Sequence, residues 1–204
     1  MELHDHLYER VSEEAPFLFE SWEPEGVAVV IGHGQTAAEE ADLAACRRDG
    51  IAVIRRRGGG GAVVLMPGVF CLSCAFLSGR SDSPWFFFQQ INLFIIDLLA
   101  RRFSLPGLEP AGVSDIALAG RKILGCSMFK SRRLHFYQGS LLLNPDLSLI
   151  STYLIHPSRE PGYRHGRSHS DFVTSLWRSG YPLPMDHLKQ AFSEETGALR
   201  ALLI

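Results

Sequence analysis

One segment constrains this chain more than any other: Arg55-Arg56-Arg57-Gly58-Gly59-Gly60-Gly61, set between two apolar runs. Residues 51–56 before it and 62–66 after it read as strands. The four glycines let the backbone approach a ligand closely and offer several N–H groups to an anion. The adjacent guanidiniums suit a phosphate or carboxylate held by two parallel bonds. A flexible hairpin loop with solvated arginines is the competing reading. No Gly-Lys-Ser/Thr follows the glycines and they are not spaced as a dinucleotide fingerprint, so neither of those nucleotide loops is present.

The rest of the chain supplies the layers around this loop. Residues 27–32 form a short apolar run ending in glycine, a buried strand. Thr36 and Glu39 have the spacing of a capping box and Asp49-Gly50 is a stop, predicting one helix of about a dozen residues. Residues 69–77 form another strand, joined to 62–66 at the turn pair Pro67-Gly68. Ser83-Pro84 opens a long helix over 85–103, apolar on most sides, which Leu105-Pro106-Gly107 closes. Residues 114–118, 122–128 and 134–144 read as strands, 146–154 as a short helix, and 185–203 as an amphipathic C-terminal helix. Strands outnumber helices and come in hairpin-like groups. This predicts an α+β fold, a mixed β-sheet core flanked by helices, formed as a single domain over residues 1–204.

Composition narrows the function classes. The formal net charge is -2 and the pI about 6.4, which argues against a nucleic-acid footprint. No apolar run reaches the roughly 18 residues that span a bilayer, and the N-terminus lacks the apolar stretch of a signal peptide. No membrane contact and a cytoplasmic location are therefore expected. Among the 20 basic residues only Lys122, Lys130 and Lys189 are lysines, so Lys122, flanked by Gly120 and Gly125, stands out. On a strand it would reach into a cleft to stabilise an oxyanion or phosphate. The alternative is an edge-strand lysine that discourages aggregation. Cys71 and Cys74 lie in a predicted strand, where positions three apart face opposite sides, so they are expected in the core rather than on a metal. Cys126 lies near Lys122, a cation able to lower a thiol pKa, but a buried structural role is the stronger expectation. A Gly-x-Ser-x-Gly elbow is absent and no nucleophile triad is apparent. Residues 156–171 carry Arg159, Arg164, His165, Arg167 and His169 and read as a functional loop or an exposed insert, the functional form being a mobile basic loop over an anionic ligand. His165 and His169 are four apart, but Gly166 argues against the helix a zinc pair needs.

Taken in order, these segments resemble the biotin/lipoate protein ligase family, in its lipoate–protein ligase A branch. The first hallmark is an Arg-Arg pair with a glycine run and Ala-Val, here Arg55 to Val63. The second, Asn-Asp-Leu/Ile and then Lys-Ile/Val-x-Gly-x-Ala, is filled by Ser114-Asp115-Ile116 and Lys122-Ile123-Leu124-Gly125-Cys126-Ser127. The third, His-Gly-Thr-Leu-Leu, is matched by Gln138-Gly139-Ser140-Leu141-Leu142, and the fourth by Ser168 with Val173-Thr174-Ser175-Leu176. Departures are Leu65-Met66 and Gly68-Val69 after the glycines, Gln138 for a histidine and Phe172 for an arginine.

The resemblance implies a class II synthetase-like fold. It implies a reaction in which lipoate or octanoate attacks the α-phosphate of ATP, giving an acyl-adenylate, before a lysine of an apo lipoyl domain takes the acyl group. It implies Lys122 as the catalytic residue. Arg56, Arg57, Gly58, Gly59, Gly60, Gly61, Ala62, Val63, Val64, Asp115, Gly125, Gly139 and Ser140 would contact the nucleotide or acyl-adenylate. Asp115 would also assist a Mg²⁺ ion, and an apolar slot between sheet and helix would take the acyl chain. The C-terminal accessory domain of the full-length ligase is expected to be absent, which makes a separate accessory subunit a candidate partner. Two other functions share this fold by resemblance. An octanoyl or lipoyl transferase using acyl carrier protein would need a cysteine near 157–163, where this chain has none, or Cys126 in its place. A non-catalytic binder of lipoylated partners would need no reactive lysine.

Overall fold

The computed structural model describes residues 1–79, 83–157 and 159–204. Its elements in chain order are α1 (His6–Arg10), β1 (Phe17–Trp22), β2 (Ala28–Ile31), α2 (Ala37–Glu40), α3 (Leu43–Arg48), β3 (Ala52–Arg55), β4 (Val63–Leu65), β5 (Val69–Leu77), α4 (Pro84–Phe103), β6 (Leu108–Ala111), β7 (Asp115–Leu118), β8 (Arg121–Ser131), β9 (Leu134–Leu142), α5 (Ser148–Tyr153), α6 (His169–Phe172), α7 (Met185–Glu194) and α8 (Thr196–Leu203). Six strands form one sheet in the order β1-β5-β9-β8-β7-β6, antiparallel at every pairing. Three form a second sheet, β3-β2-β4, in which β2 runs parallel to β3 and antiparallel to β4. The mixed character expected of the fold is thus confined to the smaller sheet.

Period-two alternation on β5 divides the core. Phe70, Leu72, Cys74 and Phe76 pack with Phe87, Ile91, Ile95, Leu98 and Leu99 of α4 and with Phe192 of α7. Val69 and Cys71 point the other way, to Val29, Ile31, Val64 and Leu65 of the small sheet. Cys71 and Cys74 therefore occupy different clusters, as their spacing predicts. The large sheet is covered on both faces, by α4, α7 and α8 on one and by the small sheet on the other. Truncating a fully buried α4 side chain such as Leu98 to alanine is expected to cost about 2–5 kcal/mol.

The structure departs from the sequence expectations where tertiary contacts outweigh local signals. The single helix after β2 is two short ones. Ala41 pairs with Leu154 instead of continuing the helix, and Asp42 restarts it by accepting from the N–H groups of Ala44 and Ala45 at 3.0 and 2.9 Å. The Thr36 side chain caps nothing. Pro67-Gly68 is the expected turn, closed by Val69 N–H donating to Met66 O at 3.1 Å, but it does not make a hairpin, because β4 and β5 enter different sheets. Gly68, at φ +85°, donates to Glu23 at 2.7 Å and accepts from Asn144 at 2.9 Å, so it joins the two layers. The C-terminal helix breaks at Glu195, which pairs with Arg101 of α4 at 3.3 Å. The elements α1, β1, β6 and α6 carry no strong sequence signal. Ser158, within the expected basic loop, lies outside the described residues. Among the described residues, no helix is long and apolar enough to cross a membrane.

Candidate active site

Lys122 lies near the start of β8 and Asp115 at the start of β7. In a regular strand Lys122 and Gly125, three apart, would face opposite sides. The pairing shifts register here: Asp115 sits opposite Gly125 and Ile116 opposite Leu124, but Ala117 sits opposite Lys122. The extra residue, Ile123, makes a β-bulge that resets the alternation. Lys122 thereby turns to the face of Asp115 and Gly125, and its Nζ lies 2.8 Å from Asp115 Oδ1. Gly125 makes the room. A Cβ there would lie 2.6 Å from Lys122 Nζ and 2.7 Å from its Cε. The second oxygen of Asp115 accepts from the Tyr163 hydroxyl at 2.8 Å. Burial and the neighbouring Asp115 carboxylate push Tyr163 well above the ordinary tyrosine range, so it remains a donor. Asp115 is buried, while Lys122 keeps 26% of its side chain exposed.

The three arginines before the glycines do not present a row of free guanidiniums. Arg55 donates to the carbonyls of Gly32, His33 and Gln35 at 2.9, 2.8 and 2.7 Å. Arg56 is buried and donates to Gly59 O at 2.6 Å and Gly61 O at 2.8 Å, fastening the loop from within. Burial lowers its pKa to about 10, and it stays charged at neutral pH. Arg57 points away, toward α1, where it meets Asp5 at 3.3 Å, Glu9 at 3.0 Å and the face of Tyr8 at 4.6 Å. Gly60 adopts φ +90°, a conformation that requires glycine, between the two carbonyls that Arg56 holds. The competing reading of solvated arginines on a free hairpin does not fit this packing.

Two cavities meet at Lys122. The first, about 660 Å³ and partly open to solvent, lies between the two sheets, with Leu3, Trp22, Val30, Leu65, Cys71 and Leu72 among its walls. A small apolar cavity of about 220 Å³ does lie between the large sheet and α4, among Leu72, Ile91, Phe94 and Phe192, but it does not reach Lys122, whereas the cavity between the two sheets does. The second, about 1210 Å³ with open solvent included, reaches from β4 and β8 to α5, α6 and the segment before α6. Its walls carry Arg159, Arg164 and His169 beside Ile150, Leu154 and Phe172. Gly61, Ala62, Val63, Ser114, Asp115, Lys122, Gly125 and Ser140 line both. Of the other sequence-expected residues, Arg56, Gly60 and Gly139 line the first cavity and Val64 the second. Arg57, Gly58 and Gly59 line neither. Sequence reasoning missed Leu3 and Trp22, which belong to no motif, and Tyr163, which sits inside the loop marked only as basic.

That loop is built on its own arginines. Arg167 donates to Gly120 O at 3.0 Å and Tyr163 O at 2.7 Å, and Arg121 donates to Ser170 O and Val173 O, both at 2.7 Å. Arg164 and Arg167 stack over Phe172 at 4.9 and 5.3 Å. Arg164 is buried in the cavity wall, where its Nε meets Glu160 at 3.4 Å, and among the described residues its Nη2 has no hydrogen-bond partner. Burial, with Arg164 and His156 nearby, lowers His169 to about 4, leaving it neutral. Cys126 donates its thiol hydrogen to Ser114 O at 2.8 Å, and burial pushes it up to about 12. It is a protonated residue in the wall of the first cavity. Asp115, expected to assist Mg²⁺, has both oxygens engaged, and among the described residues it joins no trio of metal-ligating groups. These residues do not fit a dedicated metal cage.

Known proteins match this arrangement. The family model for the lipoyl protein ligase A/B catalytic domain matches residues 1–197. Lipoate–protein ligase 1 of Staphylococcus aureus is 31% identical over 150 residues, covering 72% of this chain and 43% of that protein. The chain thus spans less than half the length of this relative. A Thermoplasma acidophilum protein solved with bound lipoic acid superposes with a TM-score of 0.77 at 24% identity, over 95% of this chain and 78% of that one. The same organism's bi-partite lipoate protein ligase, described with its E2 lipoyl domain, gives 0.75 at 24% identity, over 89% and 71%. Lipoate–protein ligase A bound with ATP gives 0.73 at 26% identity, over 89% and 73%. A match along nearly the whole chain, on a shared fold, settles the family: this chain belongs to the lipoyl protein ligase A/B catalytic domains.

Proposed function

We propose that this chain is the catalytic unit of an ATP-dependent lipoate–protein ligase. It activates lipoate, or octanoate, as an acyl-adenylate and passes the acyl group to a lysine of a lipoyl-domain protein. The observation that carries this reading is the meeting of two unlike cavities at one lysine. The first cavity, with apolar walls between the sheets, takes the acyl chain. The second, walled partly by Arg159 and Arg164, takes the nucleotide.

Lys122 stands where the acid's carboxylate and the α-phosphate must meet. Its ammonium group draws both anions together in the first step, as a carboxylate oxygen attacks phosphorus and pyrophosphate leaves. In the second step it stabilises the oxyanion formed when the acceptor amine attacks the acyl carbonyl and AMP leaves. Asp115, held by Tyr163, fixes the lysine's direction. Arg56 draws the carbonyls of Gly59 and Gly61 inward, which fixes the loop that leads into Gly61, Ala62 and Val63 where the two cavities meet. A magnesium ion bound with the nucleotide's phosphates would supply neutralising charge there. The protonated state of Cys126 weighs against a thioester route from acyl carrier protein. The bi-partite archaeal relative supports an accessory subunit as partner and a lipoyl domain as acceptor.

The test is the intact mass of an apo lipoyl domain after incubation with this chain, Mg-ATP and lipoate or octanoate, with presynthesised lipoyl-adenylate as a parallel donor. The reading expects an acyl mass gain that Lys122→Ala abolishes. A gain from acyl carrier protein that Cys126→Ala removes would replace it with the transferase.

A further inference from the structure

Away from the two cavities, the amino-terminal segment places two imidazoles and a carboxylate face to face. His4 Nδ1 meets one oxygen of Glu20, and His6 Nε2 meets the other at 3.0 Å. The three donor atoms lie within 4.8 Å of one another, and among the described residues no other His, Cys, Asp or Glu trio does so. Tetrahedral zinc places neighbouring ligand atoms about 3.3 Å apart, so small side-chain rotations bring these three onto one ion.

Each ring is also oriented from behind. His6 directs its other nitrogen, Nδ1, to Glu2 at 3.0 Å, the carboxylate–histidine arrangement that fixes the ring of a metal ligand. His4 stacks on Trp22, with ring centroids 4.6 Å apart and planes 16° from parallel. The side chains of His4, His6 and Glu20 remain 22%, 32% and 37% exposed, which leaves an entry path. Two neutral imidazoles and one carboxylate suit a borderline cation such as Zn²⁺ or Co²⁺ better than calcium or magnesium, which prefer oxygen.

The cluster borders the first cavity. Trp22 and Leu3 are in the cavity wall, and Gln138 holds Leu3 O at 2.7 Å. We propose that His4, His6 and Glu20 bind one divalent transition-metal ion, which clasps residues 2–6 to β1 and holds Leu3 against the first cavity. The site does not depend on the ligase reading.

The test uses tag-free protein stripped with a chelator and titrated with Zn²⁺ by calorimetry and with Co²⁺ by visible absorption. One equivalent is expected to bind. Glu2→Gln should weaken it about tenfold, and Glu20→Gln and His6→Ala by about 100-fold or more. Co²⁺ should quench fluorescence in the wild type, and Trp22→Phe should lose that quenching while keeping the cobalt absorption. Zn²⁺ should slow hydrogen exchange in residues 1–10. Metal-free thermal unfolding of each variant, unchanged from wild type, shows that the fold survives. Binding of equal strength in wild type and variants would assign the metal to other histidines and overturn the proposal. So would no binding of either ion, with the cluster then held by shared protons alone.

Discussion

Two pairs of residues with the same spacing behave in opposite ways. Cys71 and Cys74 on β5 are three apart and face different core clusters. Lys122 and Gly125 on β8 are also three apart and share one side of the sheet. A single register shift makes the difference. Regular β5 serves packing at Cys74, while the alternation turns Cys71 to the wall of the first cavity. Bulged β8 serves chemistry, because the bulge brings an ammonium group beside a carboxylate and above a glycine. A rule about strand periodicity fails at the point where the chain departs from periodicity, and that point is the candidate catalytic centre.

The comparison breaks most sharply at Lys122. Lys122→Ala is expected to lower acyl transfer per folded molecule by about 10²–10³-fold, and also to lower thermal stability, because it leaves the buried Asp115 carboxylate with Tyr163 but without its cation. Gly125→Val comes next. Its side chain would occupy the space of Lys122 Cε and Nζ, and a misplacement of about 1 Å at a reacting group costs about 10²-fold in rate. The counterpart on the regular strand is Cys74→Ser. It should cost about 1–3 kcal/mol in denaturant unfolding by burying a poorly partnered hydroxyl, yet leave activity per folded molecule unchanged. Activity loss in Cys74→Ser at full stability, or none in Gly125→Val, would erase the distinction.

Neighbouring arginines sharpen the same contrast. Arg56→Met removes two bonds to the glycine loop and should cost about 1.5–3 kcal/mol per bond at most, with weakened nucleotide binding. Arg57→Ala breaks part-exposed pairs with Asp5 and Glu9 and the stacking on Tyr8, and should cost about 1 kcal/mol, with unchanged activity. Nucleotide titrations and urea melts of both variants check this. Cys126 should resist iodoacetamide at pH 8 until the protein unfolds, because a pKa of about 12 leaves roughly one thiolate in ten thousand. His169 gives the contrast a pH dependence. Its folded pKa, about 4, lies below its ordinary value, so the unfolded chain binds more protons between pH 6.5 and 4. The stability it contributes is present above pH 6.5 and lost as pH falls toward 4. His169→Gln should flatten that acid limb in urea melts.

Much of this was legible in the sequence. β5 was bounded by residues 69–77 in both, and the apolar run of α4 differed by one residue at its start. The four ordered motifs placed Lys122, Asp115, Gly61 and Ser140 in one site, and all four line both cavities. What the sequence hid was direction. Arg57 looks like its neighbours in a run of three, yet it turns to α1 because Asp5, Glu9 and Tyr8 lie there, some 50 residues earlier in the chain. Trp22 and Leu3 reach the first cavity through β1 and the segment before α1, neither of which has a periodic signal. The break at Ala41 depends on a partner, Leu154, that local propensity cannot register.

The measurement that tests the central claim most directly is intact mass of an apo lipoyl domain after incubation with wild-type, Lys122→Ala or Gly125→Val protein. Each is run with Mg-ATP and lipoate, and again with presynthesised lipoyl-adenylate. The account predicts a lipoyl mass gain with wild type that both substitutions reduce by about 10²-fold or more. A mass gain that persists at full rate in Lys122→Ala would contradict it, as would no gain from either donor with wild type.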